Sequence, residues 1–564
     1  MTAGEQETTI EGAMLEALSE TPGKMRPIME RYEADRHSLE RKYPLVLSPL
    51  RQERMRQFFA GWGKALETLD FTTLAHDDQI DYLLFQNRLR HHLRRLEIEA
   101  DRAEETAPLV PFQAGLLSLE EQRLQMKWVQ PEAAATLLDA AEKQIRQAQR
   151  DLLADPQAKS TWKPTVANRA ADAVETLRSA LKHWNRFYSG YDPLFNWWVA
   201  APYKAAETAL EEYAAFLREH LVGGEKGAII GDPLGREALT SELAFEMIPY
   251  TPEELITIGE KEFAWCEAEI RKAAAELGLS DHHAALEHIK SLHRPPGEQP
   301  EMIRAMAVEA VEFLQEHDLV TLPPLAVETW RMEMMTPEAQ LVNPFFLGGE
   351  MIQVSFPTDT MTHAQKQMSM RGNNPHFARA TVQHELMPGH HLQMFMMSRF
   401  RPYRRTVGTS FWIEGWALYW EMRLWDLGFP LTPENRLGML FWRSHRAARI
   451  VFSLKFHLEQ MTAPECIAML IERVGHEPAN AEAEVRRSFK GDYGPLYQAA
   501  YMLGGLQMKA LHGELVEQGG LTDRAFHDAI LRQNSLPIEM LRAALTQQPL
   551  TRDFVSNWRF YPNL

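Results

Sequence analysis

The stretch that decides the fold runs from Ala380 to Gln393, Ala-Thr-Val-Gln-His-Glu-Leu-Met-Pro-Gly-His-His-Leu-Gln. Its first part is interpreted as a helix that carries His384 and Glu385, and Pro388 and Gly389 then interrupt that helix. Proline lacks a backbone N–H and clashes with the preceding turn, so it kinks or breaks a helix. We therefore predict two helical segments joined at this Pro-Gly pair.

The spacing of the histidines decides which of them can act together. If the helix ran straight on, His390 would point about 240° away from His384, and His391 would lie about 10 Å further along the axis. Neither could then share one metal ion with His384. If the chain instead loops out by two residues at Pro388-Gly389, the helix resumes at His390 and returns that side chain to the face of His384. His391 is the alternative to His390.

A carboxylate on a later predicted helix, Thr409 to Leu427, completes the set. Glu414 lies within Phe411-Trp-Ile-Glu-Gly-Trp-Ala-Leu-Tyr419. A catalytic zinc site uses three His or carboxylate ligands and keeps one position open for water, and a carboxylate that is not a ligand takes a proton from that water. The residues predict a Zn²⁺ site held by His384, His390 and Glu414, with Glu385 as the general base.

Outside this region, helical periodicity dominates the sequence. Long segments without internal proline carry apolar residues at three- and four-residue spacing and are rich in good helix formers. Such segments are Ile80 to Arg102, Pro131 to Leu153, Asn168 to Phe187, Ala205 to Leu221 and Pro252 to Leu277. The fold class is therefore predicted to be mainly α.

The one convincing strand is Glu350 to Phe356, bounded by Gly348-Gly349 and Pro357. It predicts a small β-sheet close in sequence to the metal motif. As an edge strand it could pair with an extended peptide, which would make Val354 and Ser355 substrate-binding residues. A short structural hairpin is the alternative.

The sequence indicates two regions without a clear linker between them. Residues 1–235 are predicted to form an N-terminal helical region, and residues 236–564 a catalytic helical region with the zinc motif. One merged helical domain is the alternative.

The two motifs together resemble those of a known family. His384 to His391 follows the pattern HExxPGHH and Glu414 to Tyr419 the pattern EGWALY, which are similar to the bacterial family called domain of unknown function eight-eight-five. That family looks like a relative of the helical gluzincin peptidases, which include angiotensin-converting enzyme and the oligopeptidases. The resemblance is sharp over roughly residues 340–510. It implies a large helical, zincin-like body with a deep central cleft.

The resemblance also implies roles for residues beyond the metal motif. In Gly494 to Gly504, Gln498 and Tyr501 match the family pattern, whereas its Pro-Gly-Gln triplet is absent. His457 matches a family histidine, but Ser453 stands where the family carries Asp. By analogy Tyr501 and His457 donate hydrogen bonds to the oxyanion, and Gln498 contacts substrate. The alternatives are that Tyr501 is an ordinary buried tyrosine and that His457 is a core histidine whose ring only forms internal hydrogen bonds.

Composition limits the partners. A formal charge of −17 argues against nucleic acid and anionic membranes, which both require basic surface. The two cysteines, Cys266 and Cys466, exclude a disulfide framework. Residues 1–20 do not resemble a signal peptide, so a cytoplasmic location is expected, or a periplasmic or secreted one if a leader was removed. The oligomeric state is not predicted.

Three functions compete for this site. The first is a zinc metallopeptidase acting on peptides. The second is a zinc-dependent hydrolase of a small non-peptide amide or acyl conjugate. The third is a non-catalytic binding protein on a peptidase scaffold, which the intact Glu385 argues against because a protein that only holds zinc does not need a general base.

Overall fold

The computed structural model describes residues 23–223, 228–340, 345–490, 493–562 and 564. It is 72% helical, so the prediction of a mainly α fold is confirmed. The first eight α-helices are α1 Met25–Lys42, α2 Pro49–Glu67, α3 His76–Thr106, α4 Gln113–Leu124, α5 Pro131–Ala154, α6 Ala158–Thr161, α7 Pro164–Tyr188 and α8 Pro193–Phe216. Each of the first four long periodic segments lies within or largely within one of them.

The remaining described helices follow residue 235. They are α9 Arg236–Phe245, α10 Pro252–Glu276, α11 His282–Ser291, α12 Gln299–Glu316, α13 Pro324–Thr329, α14 Pro337–Gln340, α15 His363–Gly372, α16 Pro375–Glu385, α17 His390–Met397, α18 Ser410–Asp426, α19 Pro433–His457, α20 Ala463–Met469, α21 Pro478–Lys490, α22 Tyr497–His512, α23 Asp523–Gln533 and α24 Ile538–Thr546. The helix predicted from Thr409 to Leu427 is α18, with Thr409 as its N-cap and Leu427 as its C-cap.

The described chain divides into two compact units. The first unit comprises the residues up to Met29, Asp70–Asn87 and Leu234–Leu564, and the second comprises Glu30–Leu69 and Arg88–Pro233. The change of unit after Pro233 lies next to the boundary predicted at residue 235. The segment Asp70–Asn87, however, belongs with the C-terminal residues, so the units are not two consecutive pieces of sequence.

The second unit has its own apolar core. Helix α8 packs along α5 and α7, and their inward faces meet in one cluster that includes Leu138, Leu177, Trp184, Leu210 and Tyr213. The Tyr213 hydroxyl donates to the Leu109 carbonyl at 2.8 Å.

The first unit contains the metal motif. Helix α18 packs along α22, α16 packs on α19, and α19 packs along α10. Helices α18 and α22 approach closely, since an added Cβ on Gly415 would lie 2.6 Å from the backbone carbonyl carbon of Gly504. Only two facing glycines allow the two backbones to come so close. Their contact fixes α22 beside Glu414.

Gly504→Ala should therefore destabilise the first unit by about 1–3 kcal/mol, because the new methyl group would overpack the contact with α18. Gly513→Ala is a matched control at the end of the same helix. Gly513 has helical angles of φ −56° and ψ −42°. A Cβ added there would have one neighbouring atom within 4 Å, the Oε2 atom of the flexible Glu517 side chain at 4.0 Å. It should be neutral or stabilising by about 0.4–1 kcal/mol. Equal thermal unfolding midpoints for the two variants would contradict this account of the contact.

The small sheet is confirmed and lies against the motif helix. Strand β1, Met332–Met334, pairs in parallel with β2, Ile352–Val354, which falls inside the predicted strand. Ile352 and Val354 share an apolar cluster with Val382 and Leu386, which lie in and just after α16. The sheet thus supports the helix that ends in His384 and Glu385.

Candidate metal centre

The Pro-Gly break has the form that the sequence predicts. Helix α16 ends at Glu385 and α17 begins at His390, with Gly389 as its N-cap. The Gly389 N–H donates to the Gln383 carbonyl at 3.0 Å, and the Trp416 indole donates to the Pro388 carbonyl at 2.9 Å. A side chain at residue 389 would place its Cβ 1.9 Å from the His384 carbonyl oxygen. This position therefore requires glycine.

The break brings three side chains to one point. His384, His390 and Glu414 are all buried, and each offers one ligand atom such that the three atoms lie within 4.8 Å of one another. Glu414 Oε2 lies 3.6 Å from His384 Nε2 and 3.3 Å from His390 Nε2. These are the three residues predicted as ligands, and the structure brings them together.

His391, the alternative ligand, points elsewhere. Its Nε2 donates to the Ala326 carbonyl, at the start of α13, at 2.9 Å. The ring is buried and does not belong to the cluster of His384, His390 and Glu414. The helix thus resumes at His390, as the two-residue insertion predicts.

Each imidazole of the cluster is oriented by a second group. His384 Nδ1 donates to Glu421 Oε1 at 2.7 Å, and His390 Nδ1 donates to Gln393 Oε1 at 3.2 Å. Glu421 lies two turns after Glu414 on the same face of α18. The Gln393 amide also donates to the Trp412 and Ile413 carbonyls, which fastens α17 to the first turns of α18. Such outer contacts fix the imidazoles so that their Nε2 atoms face the centre.

Glu421→Ala should weaken metal binding by about 10- to 100-fold, since the imidazole of His384 loses the carboxylate that orients it. Glu421→Gln keeps an acceptor at the same position and should lose less. Metal affinity measured with a competing chelator checks both variants. A Glu421→Ala protein with wild-type affinity would show that this carboxylate only fills space.

Two tyrosines from α22 complete the wall of the cluster. The Tyr497 hydroxyl donates to Glu414 Oε1 at 2.6 Å and lies 3.1 Å from the Tyr501 hydroxyl. The Tyr501 ring stacks on His384 with centroids 6.0 Å apart. Tyr501 was predicted for this site, whereas Tyr497 was not. Tyr497 lies one helical turn before Tyr501, and this spacing could have indicated that the two side chains share one face of the helix.

Glu385 is buried beside the cluster without being part of it. Its carboxylate lies against the backbone of Gly348, where an added Cβ would come 1.9 Å from Oε2. It is close enough to His384, His390 and Glu414 for their charges to act on its pKa. Among the residues that the structure describes, none forms a hydrogen bond or ion pair with this carboxylate.

The charges of the cluster are strongly coupled. Burial would lower the pKa of His384, but the Glu414 and Glu421 carboxylates outweigh it and raise the pKa to about 9. Burial would raise the pKa of Glu414, but the imidazoles of His390 and His384 hold it well below its usual range. Burial raises the pKa of Glu385. Burial and then the Glu414 charge raise the pKa of both Tyr497 and Tyr501, so both hydroxyls stay protonated donors.

The cluster fits a metal ion better than a set of hydrogen bonds. Glu414 Oε2 is buried and accepts no hydrogen bond from any described residue, although two imidazole nitrogens face it. Ligand atoms bound tetrahedrally at the usual Zn–N and Zn–O distances lie about 3.4 Å from one another. The observed separations of 3.3 and 3.6 Å match that spacing. Two imidazoles and one carboxylate are also a donor set of catalytic zinc sites.

His457 does not join this site. It is the last residue of α19, and its ring and carbonyl accept hydrogen bonds from the Leu234 and Gly235 N–H groups. It lies about 12 Å along the helix axis from Arg449, whose guanidinium contacts the Tyr501 ring at 4.4 Å. The structure therefore favours the alternative that His457 is a structural histidine held by internal hydrogen bonds.

The residues predicted to bind substrate also form contacts inside the protein. The Gln498 amide donates to Ser488 Oγ at 2.7 Å, because one residue of helix rotation turns it away from the face of Tyr497. Val354 is fully buried, and the Ser355 hydroxyl donates to Gln340 at 3.1 Å.

Strand β2 also has no open edge for a peptide. It pairs with β1 on one side, and Gln353 forms an antiparallel bridge with Leu347 on the other. This arrangement favours the structural alternative for the described residues, and pairing of the strand with an extended substrate stays a prediction.

Comparison with known families matches nearly the whole chain to one family. The family model described as "Bacterial protein of unknown function (DUF885)" covers residues 31–545. The chain belongs to this family. The predicted family resemblance is thus confirmed. No curated protein matches the chain.

Two solved structures share the fold. One is that of a candidate lipoprotein of unknown function from Shewanella oneidensis, with a TM-score of 0.67, 17% sequence identity, and coverage of 93% of this chain and 100% of that one. The other is that of a candidate lipoprotein from Colwellia psychrerythraea, with a TM-score of 0.55, 16% identity, and coverage of 89% and 91%. At these identities the likeness concerns the fold alone.

Two further findings concern the cysteines and the possibility of a membrane-spanning helix. Cys266 and Cys466 are free and buried, as the composition indicates. Within the described part of the chain, no helix has the length and apolar character needed to cross a membrane.

A cavity of about 1150 Å³ in the first unit reaches the cluster at Glu414 and Tyr497. It is lined by α13 and the residues after it, including Glu328 and Arg331, and by α17 and the start of α18. Its volume is slightly larger than the range of about 300–1,000 Å³ that is typical of ligand sites. The cluster is therefore accessible from a space large enough for several amino-acid residues.

Proposed function

We propose that this protein is a zinc-dependent peptidase. The observation that carries the proposal is the buried Glu414 Oε2, which faces the imidazoles of His384 and His390 and accepts no hydrogen bond from a described residue. The Glu385 carboxylate lies beside this cluster. His384, His390 and Glu414 would hold the ion. When bound, Zn²⁺ supplies a Lewis acid that polarises a scissile carbonyl and acidifies water.

In this proposal Glu385 is the general base. It follows a ligand directly in α16, so helix rotation of about 100° sets its side chain beside the ligand face without pointing at the same atom. Since no described residue binds its carboxylate, Glu385 can take a proton from a water molecule and pass it to the leaving amine. Burial keeps bulk solvent from competing for that proton.

Tyr501 is proposed as the donor to the oxyanion. Its hydroxyl stays protonated, its ring is fixed by stacking on His384, and Arg446 and Arg449 contact the same ring at 4.8 and 4.4 Å. A donor already held in place stabilises the developing negative charge without reorganisation.

Tyr501→Phe should lower kcat by about 10²- to 10³-fold, the usual cost of one oxyanion donor, with metal content unchanged. Tyr493→Phe is the matched control, because Tyr493 stacks on Tyr497 at 4.2 Å but is 42% exposed. Steady-state kinetics on one cleaved peptide checks the pair. Equal rates for wild type and Tyr501→Phe would remove Tyr501 from the mechanism.

The cavity favours peptides over small amides as substrates, because about 1150 Å³ exceeds the needs of a single small acyl group. Digestion of a random peptide library, read by mass spectrometry, tests this. New peptide termini should appear, disappear with a zinc chelator and return when Zn²⁺ is restored. If no peptide is cut but a small acyl amide is hydrolysed with the same metal dependence, the second candidate function replaces the first.

We also propose an extracytoplasmic location in place of the expected cytoplasmic one. Support comes from the two structures of similar fold, both described as candidate lipoproteins. Cell fractionation of the native host with antibody detection tests the location. Recovery of the protein only with cytoplasmic markers would contradict it.

A further inference from the structure

Six large apolar side chains project into solvent from one part of the second unit. They lie in the connection after α4, in the last turn of α7 and the connection that follows it, and in the first turns of α8. Each is more than half exposed, with exposed fractions from 56% to 88%. These residues, called here the aromatic patch, are Met126, Trp128, Phe187, Tyr191, Leu194 and Trp197.

Four members of the patch share one surface depression. Met126, Trp128, Phe187 and Tyr191 line one open cavity of about 850 Å³. Leu194 and Trp197 follow in the first two turns of α8, three and six residues after Tyr191. Phe195 turns inward, with its ring centroid 5.1 Å from those of both Trp184 and Tyr188. Helix rotation turns Leu194 and Trp197 about 100° and 160° away from Phe195, so both face outward.

The backbone beneath the patch is held by hydrogen bonds. Asp192 caps α8 by accepting from the Leu194 and Phe195 N–H groups, and the Gly190 N–H donates to Asn196 at 3.3 Å. In the other connection the Lys127 N–H donates to the Gln122 carbonyl at 2.9 Å. The apolar side chains therefore project from a defined surface. Leaving such side chains in water forfeits about 1.5–3 kcal/mol of burial for each, and exposed patches of this kind mark binding surfaces.

The charge around the patch is opposite to that of the chain. Lys127 and Arg186 line the same cavity, and neither forms an ion pair with any residue in the described ranges. Arg123 lies over the Phe187 ring at 4.8 Å, and its charge is paired with that of Glu120. The one acid in the cavity lining, Asp192, is used as a helix cap. The net charge of −17 does not decide binding here, because salt screens charges more than about 8–10 Å away.

We propose that the aromatic patch docks the protein on an anionic lipid bilayer surface. Tryptophan and tyrosine prefer the headgroup level of a bilayer, and nearby Lys and Arg add attraction to anionic lipids. Apolar side chains grouped in one patch, with Lys127 and Arg186 beside them, complement a surface of negative phosphates above an apolar layer. The prediction from total charge that no membrane is bound is thereby revised for this surface.

Vesicle flotation of the full chain tests the proposal. Wild type should bind vesicles of phosphatidylcholine mixed with phosphatidylglycerol and should bind phosphatidylcholine vesicles far less. Trp128→Ala combined with Trp197→Ala should lower the partition coefficient at least about tenfold. Lys127→Glu combined with Arg186→Glu should lower it about tenfold or more on the anionic vesicles. Circular dichroism should be unchanged, because all four side chains lie at the surface.

Matched controls change equally exposed residues outside the patch. Leu431 and Val555 are 77% and 81% exposed, and their replacement by Ala should leave binding unchanged, as should Lys64→Glu combined with Arg90→Glu. Absence of binding to either vesicle, or equal binding by wild type and the tryptophan variant, would overturn the proposal. So would self-association without lipid that the tryptophan variant abolishes, since the patch would then contact a second copy of the chain.

Discussion

Glu385→Gln should lower the rate of peptide hydrolysis by about 10²- to 10⁴-fold and leave metal content and folding unchanged. Gln has the same shape but cannot accept a proton from water. The Glu385 side chain is buried against the Gly348 backbone, so a glutamine of the same size should occupy the same position. The loss should therefore appear in kcat, with metal content per chain as the parallel measurement.

Glu350→Gln is the control for this substitution. Glu350 lines the cavity that reaches the cluster at Glu414, and its side chain is 84% exposed, so the variant removes one charge from the cavity without touching the cluster. Its kcat should stay within about twofold of wild type, in line with the small energies of exposed ion pairs. A Glu385→Gln enzyme of wild-type activity would leave the proposed mechanism without its base.

His390→Ala should lose bound zinc, whereas His391→Ala should retain it. His390 Nε2 faces Glu414 at 3.3 Å, while His391 donates to the Ala326 carbonyl. Removal of one of three protein ligands costs more affinity than the about 10- to 100-fold lost with an orienting group. Metal analysis of the two purified variants, dialysed in parallel, measures the difference.

The two variants serve as controls for each other, because both replace an imidazole at neighbouring positions of α17. His391→Ala leaves the Ala326 carbonyl without its donor, so about 1–3 kcal/mol of stability should be lost without loss of metal. The opposite result, zinc kept by His390→Ala and lost by His391→Ala, would show that the ligand set is His384, His391 and Glu414.

Features set by local physical chemistry could be predicted from the sequence. The long helices follow from apolar periodicity, and β2 follows from an apolar run between glycines and a proline. The resumption of the helix at His390 follows from the inability of Pro388 to continue a regular helix and from the need for both imidazoles to face one ion. Glu414 was found because its motif lies on one predicted helix.

The surroundings of the cluster depend on tertiary contacts and could not be predicted from local patterns. Gln498 and Tyr497 are neighbours in sequence, and only the packing of α22 on α18 decides that Tyr497 faces Glu414. Glu421 could have been proposed from its two-turn spacing after Glu414. His457 occupies a family position, but at the end of α19 its ring accepts a hydrogen bond from the Leu234 N–H group.

The aromatic patch was missed for a different reason. Trp128 and Trp197 belong to different helices and connections, and a large apolar residue at a helix end usually predicts core packing. The sequence contains no periodic signal that separates an inward ring such as Phe195 from an outward one such as Trp197 at the start of a helix. The negative net charge of the chain also argued against membrane binding. Salt screens distant charges, however, so the local charge around the patch matters more than the net charge of the whole chain.

Anomalous X-ray scattering from crystals of the zinc-loaded protein, recorded on both sides of the zinc absorption edge, tests the central claim most directly. The account predicts one strong peak within about 2.0–2.2 Å of His384 Nε2, His390 Nε2 and a Glu414 carboxylate oxygen. Glu385 should lie beside the peak without binding the ion. The absence of a peak at this cluster, or a peak bound by His391 in place of His390, would contradict it.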